Sequence, residues 1–165
     1  MLVEFPYGHR YLLSALAGAP EVLSALLKTV PASALDHRSD PDRFTPREVL
    51  AHLADWEDVY RERIEKMLAE DRPVLPNYDE GAWAVERSYG SRDPGRSLAE
   101  FQSKRLALVQ RLDQLDDEAW QRRGVRPEIG ELTVEALVFL IVTHDAYHQR
   151  QLAAPPLSAG ERAGG

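Results

Sequence analysis

Glycine and proline cut this sequence into four stretches in which apolar side chains recur at spacings of three and four residues, the period of one face of an α-helix. A chain patterned this way buries its stripes only by packing helix on helix, which predicts an all-α four-helix bundle. The first stretch covers about residues 8–29. Pro20 lies inside it, ahead of Val22, Leu23, Leu26, Leu27 and Val30, and reads either as a kink or as the first-turn proline of a new helix. The second opens on Thr45, Pro46 and Glu48, a capping box with proline at the first helical position. Its inward positions are Val49, His52, Trp56, Val59 or Tyr60, Ile64 or Arg63, and Met67, and Pro73 ends the pattern.

Residues 72–95 form a long connection between the second and third helices, broken by Pro73, Pro76, Gly81, Gly90 and Pro94, with a short helical turn expected around residues 80–86. Connections of this length in compact domains tend to cover sites. The third helix is expected over residues 97–115, with Leu98, Phe101, Leu108, Leu112 and Leu115 facing inward and Lys104, Arg105 and Arg111 among the charged residues around that stripe. Residues 122–133 hold Gly124, Pro127 and Gly130, too broken for helix and suited to a small hairpin or turn. Thr133 then caps a fourth helix running to about Leu152, whose stripe reads Val134, Leu137, Ile141, His144, His148 and Gln151 or Leu152. The tail, residues 154–165, is rich in Ala, Pro and Gly, has nothing to bury and is expected to be disordered, leaving residues 1–153 as one domain.

Composition narrows the function. The 165 residues are 44% hydrophobic and 28% charged, which suits a single soluble core. With 27 acidic against 20 basic residues the formal charge is −7, so the basic footprint of nucleic-acid binding is missing. There is no cysteine, which excludes disulfides, thiolate metal sites and a cysteine nucleophile, and leaves only histidines and carboxylates for any metal. The opening residues lack the pattern of a secretory signal, and the longest uninterrupted apolar run, residues 136–142, falls well short of a membrane span. A cytoplasmic protein without a membrane partner is the expectation.

The chemistry concentrates on three histidines. His144 and His148 stand one turn apart on the same helix face, about 6 Å along the axis, where two imidazoles can share one cation. A third ligand must come from another element, and His52 is the other histidine buried by its own pattern, since His9 precedes the first stripe and His37 lies in a polar connection. A lone histidine on an apolar face is usually a hydrogen-bonded core residue. Three on inward stripes, where neutral apolar residues would pack more favourably, point to a divalent first-row metal such as Zn, Ni, Fe or Mn with coordination positions left open. Around them, Trp56 reads as pocket wall or core. Asp55, Glu57, Asp145 and Gln151 could orient an imidazole, although carboxylates beside a stripe are commonly solvated, and Tyr60 and Tyr147 read as donors or packing residues. No phosphate-binding glycine loop, no zinc-protease motif between His144 and His148 and no nucleophile elbow is present, and no catalytic side chain is identified.

The run Phe44-Thr45-Pro46-Arg47-Glu48-Val49-Leu50-Ala51-His52-Leu53-Ala54-Asp55-Trp56-Glu57, with Thr143-His144-Asp145-Ala146-Tyr147-His148-Gln149-Arg150-Gln151-Leu152, resembles the DinB-like superfamily of four-helix bundles, which includes YfiT-type metal-dependent hydrolases and thiol-dependent transferases. The resemblance covers about residues 12–152. It implies an up-up-down-down bundle, commonly a homodimer, holding a divalent metal on the positions of His52, His144 and His148, with water or substrate completing the coordination. The implied function is hydrolysis of a small molecule, or activation of a low-molecular-weight thiol for transfer. The alternative is a metal-binding or dimeric stress-response protein without turnover.

Overall fold

The structure, a computed structural model, describes residues 8–153; the tail expected to be disordered lies outside the described residues. Four long helices form the bundle: α1 (Gly8–Thr29), α2 (Pro46–Ala69), α4 (Pro94–Asp113) and α6 (Val134–Ala153). Between them lie a short helix α3 (Glu80–Glu86), a single turn α5 (Asp117–Trp120) and a hairpin of β1 (Arg123–Arg126) and β2 (Gly130–Thr133). Helices α1 and α2 each pack on both α4 and α6, so α1 faces α2 across one diagonal and α4 faces α6 across the other.

Local signals set the boundaries. Thr45 caps α2: its hydroxyl accepts from the Glu48 amide while the Glu48 carboxylate accepts from the Thr45 amide at 2.8 Å. Asp93 caps α4 ahead of Pro94 by accepting from the Arg96 amide at 2.7 Å, so this helix begins three residues before the expected start. The hydroxyl of Thr133 accepts from the Ala136 amide at the start of α6. Pro20 does not divide α1, which runs through it unbroken. Proline has no N–H to give, which frees the Leu16 carbonyl four residues earlier, and that oxygen accepts from Arg105 Nη1 at 3.3 Å.

The residue pairings overturn the up-up-down-down order. Arg47 reaches the Arg92 carbonyl just before α4, Asp58 pairs with Lys104, and Glu65 pairs with Arg111, so α2 and α4 run parallel. His9 meets Glu135 near the start of both α1 and α6, which are parallel as well. His52, near the start of α2, meets His144 and His148 near the end of α6, so that pair is antiparallel, and the order is up-down-down-up. Parallel neighbours joined in sequence require a connection as long as the helix itself, about 36 Å for 24 residues. That geometry accounts for the length of residues 70–93, which return along α2.

This return strap is fastened to α2. Arg63 donates twice to the Pro76 carbonyl at 3.0 and 2.8 Å, the Tyr78 hydroxyl donates to Glu62, and Trp83 meets Trp56 edge-on. At its start Val74 bridges Val125 of the hairpin, and the Leu75 amide donates to the Val125 carbonyl at 2.8 Å. Gly124 of β1 sits against the end of α2 so closely that a Cβ would lie 2.9 Å from Met67 Cγ and 3.0 Å from a Leu75 methyl.

Among the described residues α1 is the helix long and apolar enough, by length and composition alone, to cross a membrane, with mean hydropathy 1.2. In the fold it is a bundle helix that buries Leu16, Ala19 and Leu23 against its neighbours.

Candidate metal centre

The buried face of α2 is broad enough to take His52 to zero exposure, and the last three turns of α6 bring His144 and His148 against it. His144 Nε2 lies 3.1 Å from His52 Nε2 and 3.1 Å from His148 Nε2. All three donor atoms fall within 4.8 Å of one another. The fold therefore brings these three side chains together, while His9 stacks on Trp120 elsewhere and His37 lies in the connection after α1.

This arrangement is awkward for imidazoles alone. One ring nitrogen carries either one proton or one lone pair, so His144 Nε2 cannot make two linear hydrogen bonds to the two nitrogens facing it. Protonation does not relieve the conflict. Burial pushes His52 down to about 3, with help from neighbouring His148; it pushes His144 down to about 2, with His148, His52 and Arg105 adding to it. His148 is lowered to about 4 by burial, against a smaller upward pull from Gln151. At neutral pH all three are neutral bases. The Nδ1–H of His148 donates to Gln151 Oε1 at 2.6 Å, which fixes the tautomer and turns its Nε2 lone pair inward. Three convergent lone pairs accommodate a cation: tetrahedral coordination at metal–nitrogen distances of about 2.0–2.1 Å places ligand nitrogens about 3.3–3.4 Å apart. The donor set thus fits a divalent first-row ion and leaves a side free.

Residues 15–152 match the DinB superfamily. The chain belongs to that family. Within it, the chain is 29% identical over 137 residues, 82% of its own length and 77% of the relative's, to YfiT of Bacillus subtilis (strain 168). It is 25% identical over 137 residues to a candidate metal-dependent hydrolase from Bacillus licheniformis, covering 82% and 78% of the two chains. The solved structure of YfiT, described as a probable metal-dependent hydrolase with an unusual four-helix bundle topology, matches 93% of this chain and 90% of its own at a TM-score of 0.84 and 25% identity.

In this DinB-superfamily bundle the carboxylates beside the histidines are buried, against the expectation that they are solvated. Arg105, placed by sequence among the charged residues around the α4 stripe, lies within it between Phe101 and Leu108 and is 1% exposed. It donates to both oxygens of Glu57 at 2.9 and 2.6 Å and to both oxygens of Asp145 at 2.5 and 3.1 Å. With the Leu16 carbonyl, the guanidinium ties α4 to the other three bundle helices. Burial raises the Glu57 and Asp145 carboxyls and Arg105 pulls both back down; burial would lower Arg105, but the two carboxylates outweigh it and hold it charged. The spacing 98, 101, 105, 108, 112 carried this signal in the sequence.

Asp55 is also buried, held by Arg87 at 3.0 Å and Arg92 at 2.8 Å. Burial raises its carboxyl, and the two arginines outweigh that and leave it below the usual range. Neither Asp55, Glu57 nor Asp145 hydrogen-bonds a site imidazole, and the buried Nδ1 atoms of His52 and His144 have no partner among the described residues. Trp56 and Phe44 flank His52, with ring centroids at 4.8 and 5.0 Å, and Tyr60 meets His144 edge-on. Tyr147 packs edge-on against His148 and is half exposed. The residue that sequence reasoning missed is Glu80 at the start of α3, whose Oε2 stands 3.7 Å from His52 Nε2. Gln151 and Phe44 also line a cavity of about 580 Å³ between the ends of α1 and α6, together with Arg43, Tyr147 and Arg150.

Proposed function

We propose that this chain is a divalent-metal-dependent hydrolase of a small molecule, with His52, His144 and His148 holding the ion. The observation that carries the reading is the convergence of three buried Nε2 atoms, 3.1 Å apart in two of the three pairs, which one shared nitrogen cannot serve with two linear hydrogen bonds. A divalent ion bound there supplies a Lewis acid at its open side, able to polarise a substrate oxygen or to acidify water or a small thiol. The chain's own contribution is to keep the imidazoles unprotonated by burial and to hold His148 through Gln151. The adjoining cavity of about 580 Å³ is large enough for a small-molecule substrate.

Elemental analysis of the purified protein, followed by assays of esters, amides and thiol-dependent transfer with each of Zn²⁺, Ni²⁺, Fe²⁺ and Mn²⁺, tests this. One equivalent of metal and a hydrolytic activity lost in His148→Ala with the fold intact is the expected result. Metal-dependent thiol transfer without hydrolysis would move the assignment to the transferase reading. Stoichiometric metal without any turnover would favour a metal-binding or stress-response protein. Assembly as a homodimer is part of the proposal: Tyr11 and Val22 on α1 and Phe139 on the adjacent α6 leave large apolar side chains 72%, 44% and 56% exposed. Phe139→Glu is expected to shift the protein from dimer to monomer in sedimentation velocity.

A further inference from the structure

The return strap places one carboxylate beside the three imidazoles. Asp79 caps α3 by accepting from the Ala82 amide at 2.9 Å. Trp83, one turn on, is wedged between Trp56 and Tyr78, and Arg87 lies 3.5 Å above the Trp83 ring while reaching Asp55. These contacts fix the helix against α2 and hold Glu80 Oε2 3.7 Å from His52 Nε2. Its side chain is 58% exposed, and no Lys or Arg pairs with it among the described residues. Arg87 and Arg92, the cations that follow Glu80 in the strap, are taken by Asp55.

Glu80 does not belong to the set of donor atoms that all lie within 4.8 Å of one another. It therefore stands beside the cluster, 3.7 Å from His52 Nε2 and farther than 4.8 Å from at least one other site nitrogen, where it can accept a hydrogen bond from a molecule bound next to the imidazoles. We propose that Glu80 determines which small molecules occupy the open side of the site: its carboxylate accepts a hydrogen bond from a neutral protic molecule such as water, an alcohol or a thiol, and repels small anions. The inference rests on the metal-dependent reading above and adds a specificity-determining residue to it. Its basis is Coulombic: a unit negative charge a few ångströms from the bound molecule, at a partly exposed position, favours a hydrogen-bond donor and disfavours a second negative charge.

The test uses the full chain loaded with Co²⁺, whose visible absorption reports what enters the coordination sphere. Azide, a small anion with no proton to donate, is titrated into the wild type, Glu80→Gln and Glu86→Gln. Glu86 carries the same charge at the far end of α3, is exposed, and serves as the control. Azide is expected to bind Glu80→Gln about tenfold more tightly than the wild type and to bind Glu86→Gln as it binds the wild type, with Co²⁺ affinity within threefold in all three. Unchanged azide affinity in Glu80→Gln overturns the inference. So does a hundredfold loss of Co²⁺ affinity in that variant, which would make Glu80 a direct ligand. Failure of the wild type to take up one equivalent of Co²⁺ would instead remove the metal-dependent reading, and this inference with it.

Discussion

Asp145, the residue after His144, grips Arg105 of α4 through both carboxylate oxygens, across the diagonal of the bundle and with 3% and 1% of the two residues exposed. Glu57 completes the pair from α2. The site-bearing turn of α6 is thereby tied to two other helices by charge-assisted hydrogen bonds in a region where water cannot substitute for a missing partner.

Removing Arg105 should leave two buried carboxylates facing each other. Arg105→Met is expected to destabilise the fold by about 3–5 kcal/mol, measured by urea unfolding. Arg105→Lys should recover little of this, because an ammonium cannot make paired contacts to two carboxylates and reach the Leu16 carbonyl as well. Full recovery by lysine would show that charge alone matters here.

Gln151 offers a separable test of how His148 is held. Gln151→Leu deletes the acceptor for the His148 Nδ1–H without touching a site nitrogen. Metal affinity, measured by chelator competition, should weaken by about 10–100-fold, and His148→Ala should weaken it further. Equal affinities for Gln151→Leu and wild type would remove Gln151 from the account.

The pH dependence of the metal-free protein follows from the buried imidazoles. In the unfolded chain they take a proton near the ordinary value of 6.5, whereas the folded chain resists until about 4 for His148, 3 for His52 and 2 for His144. Below 6.5 the unfolded state binds more protons, so the stability present above that pH is lost as pH falls toward the folded values. The loss should approach about 1.4 kcal/mol per histidine per pH unit. Glu57 and Asp145, raised in the fold, act with the opposite sign and blunt it at the acid end. Urea midpoints at pH 7, 6 and 5 should therefore decline, and decline less in His144→Gln; midpoints that do not move would contradict the burial of these rings.

A methyl group added at position 124 has nowhere to go between Met67 and Leu75. Gly124→Ala should lower stability by about 1–3 kcal/mol, read as a drop in Tm, because the hairpin must shift away from the end of α2. No change in Tm would mean that the junction is looser than its contacts imply.

Local signals made much of the fold legible in the sequence. The capping box at Thr45, the hairpin broken at Gly124 and Gly130, and the turn at residues 80–86 all depend on residues within a few positions of one another. The histidine cluster was legible because burial on two amphipathic stripes leaves few ways for the faces to meet. Helix direction was not: periodicity identifies an inward face but carries no polarity, so the parallel pairing of α2 with α4 emerged only from contacts such as Glu65 with Arg111. Arg105 was misplaced because a charged residue on a stripe looks like its edge until two buried carboxylates are found opposite. Glu80 depends on where a 24-residue excursion lands after leaving α2, which no local pattern encodes.

That excursion separates two tasks that many enzymes assign to the same element. The bundle fixes the three nitrogens, while the segment that passes beside them contributes Glu80 without contributing any of the three imidazoles. Changes at position 80 can therefore alter the surroundings of the histidine cluster while leaving the cluster itself intact, so relatives that share all three histidines need not present the same surface beside them.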